Sequence, residues 1–169
     1  LLAHVPPGDA VQRRLMHRLA TRYLWHAERY DQALEHLGPA AFPPLEEATL
    51  AGLIHVDSGH GADGVPLLMQ VVREGAPDQV VRAANGLGRL AMHAEQPERA
   101  IEWFEEMFAA SDIPRARTLA LVNLCLPRLD LGHWERAEQV ARRALAQTER
   151  RPGWVGHLSL VLTLVGLAT

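Results

Sequence analysis

The chain has 169 residues, with 17 basic and 20 acidic side chains and a formal net charge of −3. This length suits one domain with a continuous core, which we place over residues 1–169. The small negative charge excludes the strong positive field with which proteins attract DNA, RNA or anionic lipid. The single cysteine, Cys125, excludes an internal disulfide and a cysteine-based zinc cluster. We therefore expect a cytoplasmic protein that binds neither nucleic acid nor membrane directly.

Prolines recur at a nearly constant interval along the chain. They stand at Pro7, Pro44, Pro77, Pro114 and Pro152, with steps of 37, 33, 37 and 38 residues. Proline is tolerated in the first turn of an α-helix but not in its interior, so a proline followed by apolar residues at helical spacing marks a helix start. The prolines predict a series of first helices over residues 9–27, 44–58, 77–94, 114–131 and 152–168.

A second series of helix starts lies between the prolines. Short polar segments lead into Ala33, Ala100 and Ala137, and Val65 takes the place of alanine in the long gap, so that the steps are 32, 35 and 37 residues. Apolar residues at helical spacing follow each of these positions. The segments predict second helices over residues 30–37, 62–75, 97–110 and 134–149.

Apolar residues keep helical spacing within the predicted helices. Val11, Leu15, Leu19 and Tyr23 form one such stripe on the first helix. Each period contains two helices, and periods of this size are typical of solenoids in which each helical hairpin covers the apolar face of its neighbour. We predict an all-α, right-handed α-solenoid of antiparallel hairpins with about nine helices.

Small residues occupy fixed places in the third and fourth periods. The third has Leu87-Gly88 in its first helix and Ala100 with Phe104 in its second. The fourth keeps Gly132, Trp134, Ala137, Ala141 and Ala144. This pattern resembles the tetratricopeptide repeat, in which small residues let paired helices approach closely. The resemblance implies four hairpins and an unpaired last helix.

Two segments have a further, looser likeness. Residues 14–20 and 30–36 are similar to the helical repeat region of large bacterial transcription regulators of the maltose-activator type. Neither a phosphate-binding loop nor a DNA-recognition helix pattern accompanies them. The likeness implies a sensing or partner-docking part that lacks the readout domain.

Polar residues on the first helices are the candidates for binding. In a solenoid of this kind the first helices line the concave face, where polar side chains have no packing duty. They would form an Arg- and Asn-lined groove that grips a peptide segment or a partner domain through forked hydrogen bonds. The alternative is an ordinary solvated helix face. The candidates are Arg18, Arg22, Trp25, His26, Arg82, Asn85, Arg89, His93 and Asn123.

Residues suited to catalysis or metal binding are few. His55, Asp57, His60 and Asp63 are the one dense group of potential metal ligands, but they cross a junction between two helices, which turns His55 and His60 apart. We interpret the junction as a helix-end turn and keep a metal-dependent enzyme using His55 and His60 as a distant alternative. Cys125 stands where the repeat places a small buried residue. We expect no enzymatic activity and no cofactor.

The last predicted helix is apolar nearly all round. Such a helix normally needs cover on more than one side, and its second helix is missing. We therefore expect a fragment of a longer protein that continues the repeat beyond Thr169. In isolation, the same surface would pair with a second copy as a homodimer. The expected interface residues are Leu158, Val161, Leu162 and Val165.

Overall fold

The computed structural model describes residues 10–147, 158–163 and 165–166, and all regular secondary structure in these ranges is helical. Contacts divide the chain into two compact units, Leu1–Gly75 and Ala76–Thr169. Among the described residues, no helix is both long and apolar enough to cross a lipid bilayer. The all-α class is therefore confirmed, whereas the single domain over residues 1–169 stays a prediction.

Unit 1 contains the helices α1 (Ala10–His26), α2 (Tyr30–Glu35), α3 (Leu37–Ala40), α4 (Pro44–Asp57) and α5 (Gly61–Glu74). Helix α1 packs on α2 and α3, while α4 and α5 pair with each other. The predicted helix over residues 30–37 is correct in its start but is interrupted near its end. Pro39 has no N–H to donate to the carbonyl of Glu35, so α2 stops there and α3 follows as a short separate turn.

Unit 2 contains α6 (Pro77–His93), α7 (Pro97–Ala109), α8 (Pro114–Asp130), α9 (Trp134–Gln147) and α10 (residues 158–163 and 165–166). From α6 to α9, each helix packs against the next one in the chain, and α8 also contacts α6. Proline occupies the first turn of α4, α6 and α8, which confirms the helix starts expected there from the proline spacing. Helix α7 also starts at a proline, Pro97, which lies outside that series. Pro7 and Pro152 lie outside the described residues.

The turns between first and second helices share one conformation. Each contains a residue with positive φ: Glu28 (58°), Gly59 (83°), Glu95 (55°) and Gly132 (69°). The next residue donates its N–H to a carbonyl five residues earlier, as in Gln96 to Ala91 (2.9 Å) and His133 to Arg128 (2.8 Å). This bond satisfies a carbonyl that the helix end leaves without a partner. The repeated turn explains the regular spacing of the second helices.

Close helix packing explains the small residues of the repeat pattern. A Cβ atom on Gly88 would collide with the ring of Phe104, and one on Gly52 would lie 2.7 Å from Leu68 Cδ2. Ala100 and Cys125 are also fully buried in unit 2. The expected packing role of these positions is confirmed, because larger side chains would force the paired helices apart.

Most of the α10 side chains that were expected to form a homodimer interface are buried within the chain. Leu158, Val161 and Val165 are 0%, 3% and 3% exposed and belong to the core cluster that also contains residues of α8 and α9. Leu162 is partly buried against the same cluster. Leu158, Val161 and Val165 are therefore not exposed as expected, because they cover the apolar core of their own chain, whereas the homodimer itself stays a prediction. Within the described part of α10, Leu160 is an exposed apolar side chain.

Candidate peptide-binding groove

A groove of about 420 Å³ runs along α6 and α8 in unit 2. Its polar lining consists of Arg89 and His93 from the end of α6 and Asn123 from α8. Its apolar lining consists of Met92, Phe104, Leu119, Val122, Leu126 and Pro127. Sequence analysis predicted the three polar residues. It missed the apolar ones, because apolar residues in a helix are assigned to the core by default.

Asn85 and Asn123 join the two helices at this groove. Asn123 Nδ2 donates a 2.7 Å hydrogen bond to Asn85 Oδ1, and both residues are partly exposed. The bond uses one donor of Asn123 and one acceptor of Asn85, so Asn123 Oδ1 can still accept and Asn85 Nδ2 can still donate. The pair therefore retains one acceptor and one donor for further hydrogen bonds.

Pro127 alters the backbone of α8 next to Asn123. The helix continues from Pro114 to Asp130 although Pro127 lies inside it. Because proline has no N–H, the carbonyl of Asn123 cannot receive the usual bond from residue 127. The groove is therefore built where an α-helical hydrogen bond is absent.

Arg82 stands apart from the groove. Its guanidinium lies 3.9 Å from Asp78 Oδ2, one helical turn earlier on α6, and Arg82 is not among the lining residues. Such exposed pairs contribute little to stability. Of the five candidates predicted in unit 2, Arg82 is the one that does not reach the groove or its asparagine pair.

Two of the four candidates in unit 1, Arg18 and Trp25, form hydrogen bonds with groups on other elements of the unit. Arg18 donates from Nε to the carbonyl of Ala40 (3.1 Å) and from Nη2 to that of Ala41 (2.8 Å), and its guanidinium lies 5.0 Å from the ring centre of Phe42. Trp25 Nε1 donates to Asp57 Oδ2 at 2.9 Å. These contacts attach α1 to the segment after α3 and to the end of α4.

The other two candidates in unit 1 are more exposed. Arg22 pairs with Glu46 at 3.4 Å, and the ring of His26 stacks on that of Trp25 with centroids 5.6 Å apart. Both residues lie on the outer side of α1. Their surroundings differ from the amide-lined groove of unit 2, so each unit presents its own surface.

The histidine and aspartate group at the end of α4 forms a turn. Ser58 Oγ donates to the carbonyl of His55 at 3.1 Å and lies 3.0 Å from His60 Nδ1. Asp57 accepts the hydrogen bond from Trp25. In residues 10–147, 158–163 and 165–166, no group of three or more His, Cys, Asp or Glu side chains is arranged to hold a metal ion. The contacts fit a helix-end turn, which Gly59 makes possible with its positive φ.

Cys125 is unsuited to nucleophilic chemistry. The thiol is fully buried, and Sγ lies 3.4 Å from the carbonyl oxygen of Leu121. Burial raises the pKa of the Cys125 thiol to about 12, against a smaller lowering effect of Arg128. The thiolate, which is the reactive form, is therefore scarce at neutral pH.

A second cleft in unit 2 was not anticipated from the sequence. It has a volume of about 360 Å³, and Phe108, Arg128 and Arg143 are among its lining residues. Arg117 and Arg143 lie over the ring of Phe108, at 4.2 and 4.9 Å from its centre. Arg128 pairs with Glu105 at 2.9 Å. These arginines stabilise packing among α7, α8 and α9, a role that residue spacing alone does not reveal.

Comparison with known proteins supports the repeat pattern. A family model described as tetratricopeptide repeat matches residues 49–114. The sequence matches no curated protein. Three solved structures of MamA resemble the fold. A MamA mutant has 19% sequence identity and a TM-score of 0.62, with 94% of this chain and 91% of that chain covered.

The other two structures agree with the first. MamA MSR-1 has 18% identity and a TM-score of 0.62, with 91% of this chain and 87% of that chain covered. MamA AMB-1 has 22% identity and a TM-score of 0.63, with 91% of this chain and 83% of that chain covered. At these identities the likeness establishes the fold alone. The chain has an all-α, tetratricopeptide-repeat-like fold, as its sequence pattern predicted.

Proposed function

We propose that the groove between α6 and α8 binds a peptide segment of another protein, so that the chain acts as a non-catalytic protein–protein interaction module. The observation that carries this proposal is the asparagine pair of Asn85 and Asn123 beside an apolar cleft. A cleft of about 420 Å³ is large enough for one or two apolar side chains.

The polar groups of the groove match the chemistry of a peptide backbone. Every peptide unit offers a donor and an acceptor, and the pair offers an acceptor on Asn123 and a donor on Asn85. Arg89 and His93 lie one and two turns further along α6, and the Arg89 guanidinium favours a carboxylate of the ligand. Leu126, which is 47% exposed, supplies apolar contact area for a ligand side chain.

The resemblance of residues 14–20 and 30–36 to bacterial transcription regulators extends the proposal. On that resemblance, the chain is the docking part of a longer cytoplasmic regulator, and the groove receives a segment of its partner. Self-association is the competing function. Leu158, Val161 and Val165 are buried, so the described part of α10 offers Leu160 as an exposed apolar contact for self-association.

Site-specific photo-crosslinking tests the groove directly. A crosslinking amino acid is placed at Leu126 in the groove and, in a matched variant, at Leu160 on α10; both side chains are exposed apolar residues of unit 2. We expect a protein captured from Leu126 and not from Leu160. The crosslinked segment is then made as a peptide, and its affinity is measured by calorimetry with the unmodified protein.

Variants of the groove complete the test. Asn123→Ala removes the side-chain oxygen that would accept a hydrogen bond from the ligand. We expect it to weaken binding about tenfold, which corresponds to about 1.4 kcal/mol. Gln139→Ala, an exposed amide on α9, is the control and should leave affinity unchanged. Capture of only further copies of the chain, or of the same proteins from both positions, would contradict the proposal.

A further inference from the structure

Helix α1 exposes an aligned row of large apolar side chains. Val11, Leu15, Leu19 and Tyr23 are 75%, 54%, 55% and 72% exposed, and each lies four residues after the one before. Residues at this spacing share one helix face. The row is about 18 Å long, from a rise of 1.5 Å per residue. Single exposed apolar residues are ordinary, but a contiguous row marks an interaction surface.

Arginines lie beside this row, and one of them, Arg22, pairs with Glu46. Helix α1 contains four arginines and no Asp or Glu, although the whole chain has a net charge of −3. Arg14, Arg18 and Arg22 form a second row at the same spacing, immediately beside the apolar one. Arg18 is held by the carbonyls of Ala40 and Ala41, so its position is fixed before any partner binds.

A cleft adjoins the apolar row. It has a volume of about 490 Å³, and its lining includes Met16, Leu19, Tyr23 and Arg29. An aromatic or branched aliphatic side chain that projects from a partner fits such a cleft. Arg29 adds another guanidinium at its edge. The surface therefore combines a linear apolar row, a receiving cleft and basic groups.

We propose that this surface, consisting of Val11, Leu15, Leu19 and Tyr23 with the flanking arginines, binds an amphipathic helix of another protein whose apolar row is edged by Asp and Glu. A helix lies along an apolar row through residues spaced by three and four, and its carboxylates pair with guanidinium groups. This surface belongs to unit 1 and is independent of the α6–α8 groove.

Charge and shape argue against two other occupants of this surface, a second copy of the chain and a lipid surface. If two copies paired through the α1 row with antiparallel helices, their arginine rows would lie on the same side of the interface, and like charges brought together at an interface are unfavourable. A lipid surface offers no projecting side chain for the cleft.

Selection from a peptide library tests the proposal. The probe is a library of helical peptides of the same length as α1, each with a fixed leucine row and with Glu, Gln or Lys at random in the flanking positions. The library is selected on the wild-type protein and on Leu15→Gln and Leu19→Gln. Because both leucines are exposed and Gln is a good helix former, these variants should retain the wild-type circular dichroism melting curve.

We expect the wild-type protein to enrich peptides with Glu at the flanks. The best of these should lose at least tenfold in affinity on either leucine variant. The affinity of this peptide should fall about threefold to tenfold for Arg14→Glu, as for one close charge pair. It should not change for the control Arg115→Glu, a charge reversal at an exposed arginine of α8. Affinity should fall with added salt, because charge pairs at a surface are screened.

Three results would overturn the proposal. The first is selection that shows no preference for Glu, or none that depends on Leu15 and Leu19. The second is dimerisation of the wild-type protein that Leu19→Gln abolishes, which would assign the row to a second copy. The third is Leu19-dependent binding to vesicles of equal parts phosphatidylcholine and phosphatidylserine without peptide enrichment, which would assign it to lipid.

Discussion

Asn123 on α8 donates a 2.7 Å hydrogen bond from Nδ2 to Oδ1 of Asn85 on α6, 38 residues earlier in the chain. This bond links two first helices directly. Substitution of either residue by alanine should lower the free energy of unfolding by about 0.5–1.5 kcal/mol, since both side chains are partly exposed and water can replace the lost partner. The double variant should cost less than the two single variants together, by about 0.5–1 kcal/mol.

The wild-type protein, the two single alanine variants and the double variant form a double-mutant cycle, and urea unfolding of all four measures this coupling. Asn123→Ala combined with Gln139→Ala is the control cycle and should be additive, because Gln139 is exposed on α9 and has no hydrogen bond to Asn123 among the described contacts. Additive costs in the asparagine cycle would show that the two amides contribute separately.

Gly88 tests the close approach of α6 and α7. A methyl group at this position would collide with the ring of Phe104, which is 2% exposed and cannot move aside easily. Gly88→Ala should therefore destabilise the protein by about 1–3 kcal/mol. The cost should shrink when Phe104→Leu is present, since that change removes ring atoms. Thermal or urea unfolding gives both values.

Gly166→Ala is the matched control for this change. Gly166 is helical and exposed, and a Cβ atom there would meet no other atom within 4 Å. Alanine has the higher helix propensity, so the control should be neutral or should stabilise by up to about 1 kcal/mol. If Gly88→Ala behaved like Gly166→Ala, the helices would not depend on a small residue at position 88.

The turns offer a prediction in the stabilising direction. Glu95 has a φ of 55°, a conformation that glycine adopts without steric cost, and Gly132 occupies the equivalent turn before α9 with a φ of 69°. Glu95→Gly should therefore stabilise the protein by up to about 1 kcal/mol. Gly132→Ala should destabilise it by about 1–2 kcal/mol. Unfolding midpoints in urea should move in opposite directions, and a shared direction would contradict the turn assignment.

Much of the fold could be predicted because its causes are local. Proline at a helix start and a positive-φ residue at a turn act within a few residues, so the described helix bounds agree closely with those expected from Pro44, Pro77 and Pro114. The exposure of a helix face was not predictable in the same way. Periodicity identifies the apolar row of α1 and the apolar face of α10, but it does not reveal which one another helix covers.

The candidate site shows the same limit. Alignment of Asn85, Arg89 and His93 on one helix follows from their spacing, and the structure brings Asn123 beside them. Arg18 and Trp25 have equally suitable spacing. Their partners, however, lie 22 to 32 residues away in the chain, at Ala40, Ala41 and Asp57. Spacing along one helix does not show which partner elsewhere in the fold a polar side chain contacts.

We expect the stability of unit 1 to depend on pH through the contact between His17 and His36. Their Nδ1 atoms are 2.8 Å apart. Burial, and secondarily the charge of His36, lower the pKa of His17 below its usual value of 6.5. The unfolded chain therefore takes up a proton at His17 more readily than the folded protein does. The contribution of His17 to the free energy of unfolding should be fully present above pH 6.5. It should decrease as the pH falls from 6.5 toward the lower pKa of His17 in the folded protein.

Urea unfolding at about pH 8 and about pH 5.5 checks this direction. His17→Gln removes the titrating group, so its unfolding free energy should fall less between the two pH values than that of the wild-type protein. His133→Gln changes an exposed histidine in the turn before α9 and should keep the wild-type dependence. Equal losses in the wild-type protein and in His17→Gln would place the pH sensitivity at other groups. A smaller loss in His17→Gln alone would assign it to the contact between α1 and the junction of α2 and α3.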